Sequence, residues 1–366
     1  MKLGIPKERV DGESRVATTP EIARKLVAGG LEVLLERGAG ELAQYTDAAY
    51  EEAGVQLTDA ATALACDIVV KVRKPLADEV GALREGAVLI GHAETCEDDE
   101  ITAALRARDI KVIAMERIPR ISRAQSMDAL SSQSNIAGYR AVIEAAGHFG
   151  RFLPLMMTSA GSAKPARVIV LGAGVAGLQA IATARRLGAD VYAYDVRPET
   201  AEQISSLGAK PITLDLGEAG GGEGGYAKEL SEEGKAKQQA MLADELAKAH
   251  IIVTTALIPC RPAPVLITEA VVERMRQGSV IDDLAAATGG NCPLTEADRI
   301  VVKHGVIIVG HTNYPAMMPS DASAFYAKNI ANLLDIMLDR SGDAIALKDL
   351  DEDEITRSAQ LRAPDA

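Results

Sequence analysis

Residues 167–195 read RVIVLGAGVAGLQAIATARRLGADVYAYD, and this stretch decides the fold. The β-branched run Arg167–Leu171 predicts a strand, the glycines after it predict a tight turn, and the segment up to Leu187 predicts a helix. A second strand is predicted at Val191–Asp195. A strand, a helix and a parallel strand in this order form a βαβ unit, which is the building block of doubly wound α/β domains.

The turn in this unit has the spacing of a dinucleotide site, G-x-G-x-x-G, at Gly172, Gly174 and Gly177. The first glycine permits the tight turn, the second lets the backbone approach a pyrophosphate, and the third lets the helix pack on the strand. The helix N-terminus offers free N–H groups to the phosphates. Asp195 closes the second strand, where it can bind the adenosine ribose and repel a 2′-phosphate, so NAD(H) is favoured over NADP(H). Arg197 could instead bind that phosphate.

The same alternation of strands and helices recurs along the chain and predicts two domains. Strands are predicted at Ile68–Val72, Ala87–Ile90, Ile110–Ala114, Ile251–Thr255, Val280–Asp282 and Val306–Val309, and helices at Pro20–Ala28 and Glu100–Ala107. We expect an α/β fold with two Rossmann-like, doubly wound domains, whose parallel sheets are joined by long helices with a cleft between them.

The domain boundaries follow from two helices and one polar segment. Residues 117–133 are polar and predict a loop without a buried face, and a connecting helix is predicted from about Asn135 to Phe149. The apolar helix at 322–338 is expected to pack back on the first domain, which makes that domain discontinuous. The predicted domains are therefore residues 1–134 plus 320–366, and residues 135–319.

Composition excludes several classes of function. The chain has 366 residues and a net charge of −13, which argues against nucleic-acid binding because that needs clustered Lys and Arg. The four cysteines, at positions 66, 96, 260 and 292, have no metal-ligand spacing, so no metal site is expected. The N-terminus lacks the apolar region of a signal peptide, and no apolar run approaches the ~18 residues that span a membrane, so direct membrane insertion is not expected.

A glycine-rich segment interrupts the second domain at Gly217–Tyr226, with six glycines in ten residues. Such a segment is too flexible for a packed element. Two interpretations stay open, a disordered insertion without a role and a mobile lid over a ligand.

Five stretches resemble the NAD(H)-binding alpha component of proton-translocating NAD(P) transhydrogenases. They are RIPRISRAQSMDALSSQSNIAGYRAV (117–142), VIVLGAGVAGLQAIATARRLGADVYAYDVRPE (168–199), GGYAKELSEEGKAK (224–237), IIVTTALIPCRPAPVLIT (251–268) and SVIDDLAAATGGNCPL (279–294). The likeness covers nearly the whole chain apart from the C-terminal tail. It implies that NAD(H) bound here exchanges hydride directly with NADP(H) on a partner subunit, and that this exchange is coupled to proton translocation.

The same resemblance implies partners and a location. The partners would be membrane-spanning and NADP(H)-binding transhydrogenase subunits, with this chain as a homodimer on the cytoplasmic face of the inner membrane. Since the sequence ends at Ala366 before any membrane-spanning segment, it is similar to the version of the family that is split across separate polypeptides.

Roles for individual residues are likewise implied by the resemblance. Arg120, Asp128 and Ser131 match the positions that hold the nicotinamide carboxamide, and Gln125 matches a bridging contact toward the second nucleotide. Tyr226 matches the tyrosine of a mobile loop that closes over the nucleotide, in agreement with the lid interpretation. Other NAD-contacting positions fall on Val175, Asp195, Val196, Arg197, Gly225, Gln238 and Leu257.

Two other functions remain open from the sequence. The opening GIPKE…E-x-R-V pattern resembles alanine dehydrogenases, in which Lys7, Arg15, Lys74 and His92 would bind a substrate carboxylate or transfer protons. Those enzymes have an aspartate just before a Gly-Gly pair where this chain has Thr288, so we favour His92 and Arg15 as structural remnants of a shared fold. The other alternative is an NAD-binding module without catalysis.

Overall fold

The computed structural model describes residues 1–94, 96, 99–214, 231–342 and 344–362. The chain divides into two compact units. The first consists of Met1–Gln133 and Pro315–Ala366, and the second of Ser134–Tyr314.

The first unit is built on a six-stranded parallel sheet. Its strands are β1 (Lys2–Ile5), β2 (Glu32–Glu36), β3 (Gln56–Thr58), β4 (Ile68–Val70), β5 (Val88–Gly91) and β6 (Lys111–Ala114). They lie in the order β3-β2-β1-β4-β5-β6, and all five pairings are parallel. The strand order reverses between β1 and β4, and ligands of doubly wound sheets bind at such a switch point.

Short helices connect these strands. They are α1 (Pro20–Ala28), α2 (Asp47–Glu52), α3 (Ala60–Leu64), α4 (Ala77–Val80) and α5 (Glu100–Ala107), and they are followed by the longer α6 (Ala129–His148). Helix α1 begins with Pro20 at its first position, where the missing N–H has no cost, and it buries Ile22, Ala23 and Leu26. The unit boundary falls within the first turns of α6.

The second unit repeats the architecture with a seven-stranded sheet, which a two-stranded hairpin precedes in the chain. In chain order its elements are the hairpin strands β7 (Met156–Thr158) and β8 (Gly161–Ala163), then β9 (Arg167–Leu171), α7 (Val175–Arg186), β10 (Asp190–Tyr194), α8 (Thr200–Ser206), β11 (Lys210–Pro211), α9 (Glu232–Leu246), β12 (Ile251–Thr254), α10 (Glu269–Arg274), β13 (Val280–Asp283), β14 (Ile300–Lys303) and β15 (Val306–Val309). The sheet order is β11-β10-β9-β12-β13-β15-β14, and only the β14–β15 pairing is antiparallel. Its switch point lies between β9 and β12.

The chain then returns to the first unit. The returning elements are α11 (Pro319–Met337), β16 (Leu338–Asp339), β17 (Ala346–Leu347) and α12 (Glu354–Ala359). Tyr326, Ile330, Leu333 and Leu334 of α11 are fully buried in the same apolar cluster as Leu3 of β1. Helix α11 is therefore a core element of the first unit, although about 200 residues separate it from the sheet.

The polar segment 117–133 differs from its prediction as a loop without a buried face. It forms a 3-10 helix at Ser122–Met127 in which Ala124 and Met127 are buried, and α6 begins at Ala129 rather than near Asn135. The buried face arises because the segment packs on α11, which the local sequence does not reveal.

The predicted fold class is confirmed, since both sheets are doubly wound and predominantly parallel. None of the described helices is long and apolar enough to span a bilayer.

Candidate dinucleotide site

The glycine turn between β9 and α7 is closely packed at its first and third glycines. Gly172 has φ +94°, and a Cβ there would lie 2.6 Å from the Thr255 Oγ1 atom. A Cβ on Gly177 would overlap the carbonyl oxygen of Gly172. Both positions thus require glycine, one for its left-handed backbone and both for close approach.

The second glycine faces open space. No heavy atom of the described residues lies within 4 Å of a Cβ built on Gly174. Gly174 is also the N-cap of α7, and no described side chain caps this 12-residue helix. Its first N–H groups are therefore left for a ligand, and a pyrophosphate fits an uncapped helix N-terminus with an open approach.

Asp195 and Arg197 form a forked ion pair beside the turn. The Arg197 Nε and Nη2 atoms donate to the two Asp195 carboxylate oxygens at 2.9 and 2.8 Å, and the Arg197 backbone N–H donates to Oδ1 at 2.9 Å. The Ala173 backbone N–H donates to Oδ2 at 2.7 Å. Burial raises the pKa of Asp195, but the hydrogen bonds from Arg197 and Ala173 outweigh it and leave the pKa below its usual value.

This pairing bears on the choice of nucleotide. Because Asp195 neutralises Arg197, the guanidinium is not an isolated cation awaiting a 2′-phosphate. The four hydrogen bonds to Asp195 also match the approximate capacity of a carboxylate. A ribose hydroxyl can therefore reach Asp195 only by displacing one of the present donors.

Two residues that the sequence analysis did not identify hold the backbone here: Thr255 holds the glycine turn, and Asn291 holds the segment that follows β12. The Thr255 hydroxyl donates to the carbonyl oxygens of Leu171 and Gly172 at 3.3 and 3.2 Å. Asn291 is fully buried, and its side-chain amide donates to the carbonyl oxygens of Ala256 and Pro264 at 2.9 and 2.8 Å. Asn291 follows the Gly289-Gly290 pair, in which both glycines have positive φ. That pair was the local signal in the sequence for a turn just before Asn291.

The remaining predicted cofactor positions of the second unit fall into three groups. Val175 and Leu257 are large apolar residues that remain 40% and 45% exposed, and Val196 packs against the core. Gln238 lies in α9. Gly225 and Tyr226, with the whole glycine-rich segment, lie outside the described residues.

The three residues predicted to hold the carboxamide and Gln125, predicted to bridge toward the second nucleotide, all belong to one segment of the first unit. Asp128 precedes α6, and its carboxylate accepts hydrogen bonds from the backbone N–H of Ser131 at 2.9 Å and from the Ser131 hydroxyl at 2.6 Å. Gln125 lies on the 3-10 helix just before Asp128, and both Gln125 and Arg120 are exposed. Asp128 is thus also the N-cap of α6, which is a structural role in its own right.

The 3-10 helix that carries Gln125 is anchored by side chains from the C-terminal region of the unit. The carbonyl oxygen of Ser126 accepts hydrogen bonds from the side-chain amides of Asn329 and Asn332, both at 2.9 Å. Arg123 donates to both carboxylate oxygens of Asp353 at 2.6 and 2.9 Å. These contacts fix the backbone around Gln125.

Three of the four residues considered for an amino-acid substrate, Arg15, Lys74 and His92, have an acidic partner within the first unit. Arg15 donates to both Glu13 oxygens at 2.8 and 2.7 Å and is 5% exposed, and Lys74 donates to Asp99 at 2.7 Å. His92 stacks on a tyrosine ring, and its Nδ1 atom lies 3.5 Å from the Glu116 carboxylate. The side chain of Lys7 is half-buried. Because Glu13 neutralises Arg15 within the unit, a substrate carboxylate meets no isolated guanidinium there.

One cluster of possible metal-ligating side chains occurs among the residues that the structure describes. The ligand atoms of Glu269, Glu273 and His304 lie within 4.8 Å of one another. All three are exposed, and an ion pair between Glu269 and His304 at 2.9 Å accounts for the grouping.

Comparisons with known proteins decide the family. The profile described as "Alanine dehydrogenase/PNT, N-terminal domain" matches residues 4–137, and the corresponding C-terminal domain profile matches residues 141–359. A Rhodospirillum rubrum protein, named as the first of the parts that make up NAD(P) transhydrogenase subunit alpha, is 54% identical over 361 residues, which cover 96% of this chain and 94% of the relative.

The chain belongs to the NAD(P) transhydrogenase subunit alpha family.

Solved structures agree with this membership. A transhydrogenase from Sinorhizobium meliloti superposes with a TM-score of 0.89 at 44% identity, covering 99% of this chain and 98% of that one. An L-alanine dehydrogenase superposes with a TM-score of 0.77 at 27% identity, covering 91% and 89%. The transhydrogenase subunit alpha family and alanine dehydrogenases therefore share this fold, and this chain is more similar to the former.

Proposed function

We propose that this chain is the NAD(H)-binding subunit of a proton-translocating NAD(P) transhydrogenase of the Si/Re-specific type. Hydride passes directly between NAD(H) bound here and NADP(H) bound on a partner subunit, and the exchange is coupled to proton translocation. The observation that carries the proposal is the turn at Gly172–Gly177, which has an uncapped helix N-terminus and stands beside an arginine that Asp195 neutralises. That turn fits a pyrophosphate, and the neutralised arginine favours NAD(H) over NADP(H).

The chemistry makes few demands on the protein. The nicotinamide supplies the hydride, and no acid, base or metal is required at the ring, so the residues must position the ring and exclude water. In this proposal the carboxamide is held by Arg120, Asp128 and Ser131, of which the last two are already joined by short hydrogen bonds. Gln125 is exposed on an anchored backbone, which suits a contact that reaches toward the second nucleotide.

The other cofactor contacts extend the proposal across the second unit. Gly174 and Val175 contribute the helix N-terminus, Asp195, Val196 and Arg197 receive the adenosine, and Leu257 offers an apolar surface. Gly225 and Tyr226 would close over the nucleotide, and Gln238 would contact it from α9.

The proposed partners are membrane-spanning and NADP(H)-binding transhydrogenase subunits. The name of the Rhodospirillum relative, which denotes one section of a divided subunit alpha, supports an assembly of several polypeptides. We place this chain as a homodimer on the cytoplasmic face of the inner membrane, bound there through its partners.

A partner-dependent assay tests the function. The pure chain is mixed with NADH, the oxidised acetylpyridine analogue of NAD and NADP⁺, with and without the NADP(H)-binding domain of a transhydrogenase. We expect reduction of the analogue only when that domain and its nucleotide are present. Alanine-dependent reduction of NAD⁺ without a partner would instead establish an amino-acid dehydrogenase, and NADH binding without any exchange would establish a binding module.

A variant of Gln125 separates the positioning of the two nicotinamide rings from the binding of NADH. Gln125→Asn shortens the side chain by one methylene, so we expect the hydride-exchange rate to fall about tenfold to a hundredfold while the Kd for NADH changes less than about twofold. Gln56→Asn, at an exposed position of strand β3 in the same unit, is the matched control and should change neither. A collapse of NADH affinity in the Gln125 variant contradicts the bridging role.

A further inference from the structure

Three basic side chains meet at the amino-terminal edge of the second sheet, opposite the glycine turn. His250 immediately precedes β12, Arg151 follows α6, and Arg276 follows α10. The Nη1 atoms of Arg276 and Arg151 lie 3.1 and 3.5 Å from the His250 Nε2 atom. This grouping stands out in a chain whose net charge is −13.

The imidazole ring of His250 is held in one orientation by the neighbouring strand. The backbone N–H of Arg167 donates to His250 Nδ1 at 2.8 Å, and the backbone N–H of His250 donates to the Arg167 carbonyl oxygen at 2.9 Å. The Phe149 ring packs beside the imidazole with a centroid separation of 5.9 Å. Because Nδ1 accepts a hydrogen bond, the proton of the neutral ring is on Nε2.

This tautomer leaves several donors facing one another. The Nε2–H group and the N–H groups of two guanidinium ions point toward the same place. Because all of these groups are hydrogen-bond donors, none of them can accept a hydrogen bond from another. No described carboxylate lies within ion-pair distance of Arg151 or Arg276, whereas Arg167 is paired with Glu245. Burial and the nearby Arg276, Arg151 and Arg167 charges lower the pKa of His250, so the ring is neutral near pH 7.

We propose that Arg151, Arg276 and His250 form a binding site for a phosphate-type oxyanion. An oxyanion supplies the acceptors that the convergent N–H groups lack, and planar guanidinium groups match the spacing of phosphate oxygens. The four residue-to-residue steps from Arg167 to Leu171 in β9 separate this edge from the glycine turn by roughly 13 Å at about 3.3 Å per step, so the anion is not the pyrophosphate of the dinucleotide. A soluble phosphorylated molecule and a phospholipid headgroup share this chemistry.

A double variant tests the site directly. Inorganic phosphate is titrated calorimetrically into the full chain at constant ionic strength, and we expect the R151Q/R276Q variant to weaken phosphate binding about tenfold or more, because two charge-assisted contacts are lost. Arg274→Gln is the matched control, since Arg274 is also exposed but is paired with Asp244 at 2.6 Å. The control should bind phosphate as the wild type does, and all three proteins should bind NADH equally.

Nuclear magnetic resonance of the imidazole gives an independent measurement. A bound anion stabilises the protonated ring, so phosphate should raise the pKa of His250 in the wild type and in the Arg274 variant but not in R151Q/R276Q. Chloride at the same ionic strength should leave it unchanged.

Vesicles distinguish the two sources of the anion. The chain is sedimented with phosphatidic acid vesicles and, as a control, with phosphatidylcholine vesicles. Binding to the phosphatidic acid vesicles alone, if it is lost in R151Q/R276Q, identifies a headgroup ligand. Phosphate binding without vesicle binding identifies a soluble one, and either result supports the site. The proposal is overturned if wild type and R151Q/R276Q respond alike to phosphate and to vesicles.

Discussion

The two sheets have corresponding switch points, but the sequence treats them in opposite ways. At the switch point between β9 and β12 the chain leaves β9 through Gly172 and Gly174 and enters α7 at Val175, only four residues after Leu171. Between β1 and β4 the chain instead takes 14 residues to travel from Ile5 to Pro20 at the start of α1. One crevice is thus opened by a helix N-terminus, and the other is covered by a loop.

The loop of the first unit fills its crevice with the protein's own charges. Lys71 follows β4 and is 1% exposed. Its Nζ atom lies 3.4 Å from the Glu8 Oε2 atom and 3.3 Å from the Glu79 Oε1 atom. Glu8 also accepts a hydrogen bond from the Val72 backbone N–H at 2.5 Å. The comparison teaches that a shared strand order provides a place for a ligand, whereas the residues after the first strand decide whether the place is open.

Replacing Lys71 should have the largest effect of the variants considered, and this effect should be confined to the stability of the fold. Lys71→Met leaves Glu8 and Glu79 buried without their partner, so we expect a loss of about 3–5 kcal/mol in the free energy of unfolding. Burial already raises the pKa of Glu8, with Lys71 opposing it. Without Lys71 this pKa rises further, so Glu8 is protonated more readily and the loss should be smaller near pH 5 than near pH 8.

Denaturant unfolding of the Lys71 variant at both pH values checks this expectation. Lys25→Met is the control, because the Lys25–Glu21 pair on α1 is exposed and screened by solvent, so its loss should leave the free energy of unfolding nearly unchanged. NADH affinity of the folded Lys71 variant should equal that of the wild type. A weakened affinity would show that the two crevices are not independent.

Neutralising Asp195, which lies beside the glycine turn of the second unit, should have the next largest effect. Asp195→Asn removes the charge that repels a 2′-phosphate and releases Arg197, so we expect NADH to bind about tenfold to a hundredfold more weakly and NADPH to gain relative to NADH. Fluorescence titration with both nucleotides measures the change. Asp190→Asn, at the other end of β10 in an exposed pair with Lys210, should leave both affinities unaltered. An unchanged ratio of the two affinities would refute the assignment of Asp195.

The open side of the turn offers the smallest and most specific test. Gly174→Ala adds a Cβ that meets no described atom, so the melting temperature should stay within about 2 °C while the Kd for NADH rises about tenfold, because the pyrophosphate must approach that face. Gly147→Ala in α6 also meets open space and should stabilise the chain by about 0.5–1 kcal/mol without altering the Kd. Unaltered NADH affinity in the Gly174 variant would count against pyrophosphate binding at this turn.

Features whose causes are local could be predicted from the sequence. Helices Pro20–Ala28 and Glu100–Ala107 have the predicted bounds, because a proline at the first helical position and an aspartate cap define their starts. The fold class followed from alternating strands and helices, and the turn at Gly172 from its spacing and context.

Features that depend on distant residues could not be predicted in this way. The burial of Ala124 and Met127 depends on α11, and the neutralisation of Lys71 depends on Glu8, a side chain that only the fold brings close to it. The donor–donor arrangement at His250 likewise requires the hydrogen bond from Arg167 that fixes the ring. Strands β1, β2 and β3 have three to five residues each and lacked a periodic signal of their own.

The fork between Arg197 and Asp195 has a kinetic consequence. Since the carboxylate has its hydrogen bonds before any nucleotide arrives, an adenosine ribose bound as proposed would gain only the difference between its own bonds and those that it displaces. When the nucleotide leaves, the arginine can resume its place and no buried charge is stranded. Such an exchange favours rapid release over tight retention, which suits the proposed role of this chain as a subunit that exchanges its nucleotide in every turnover.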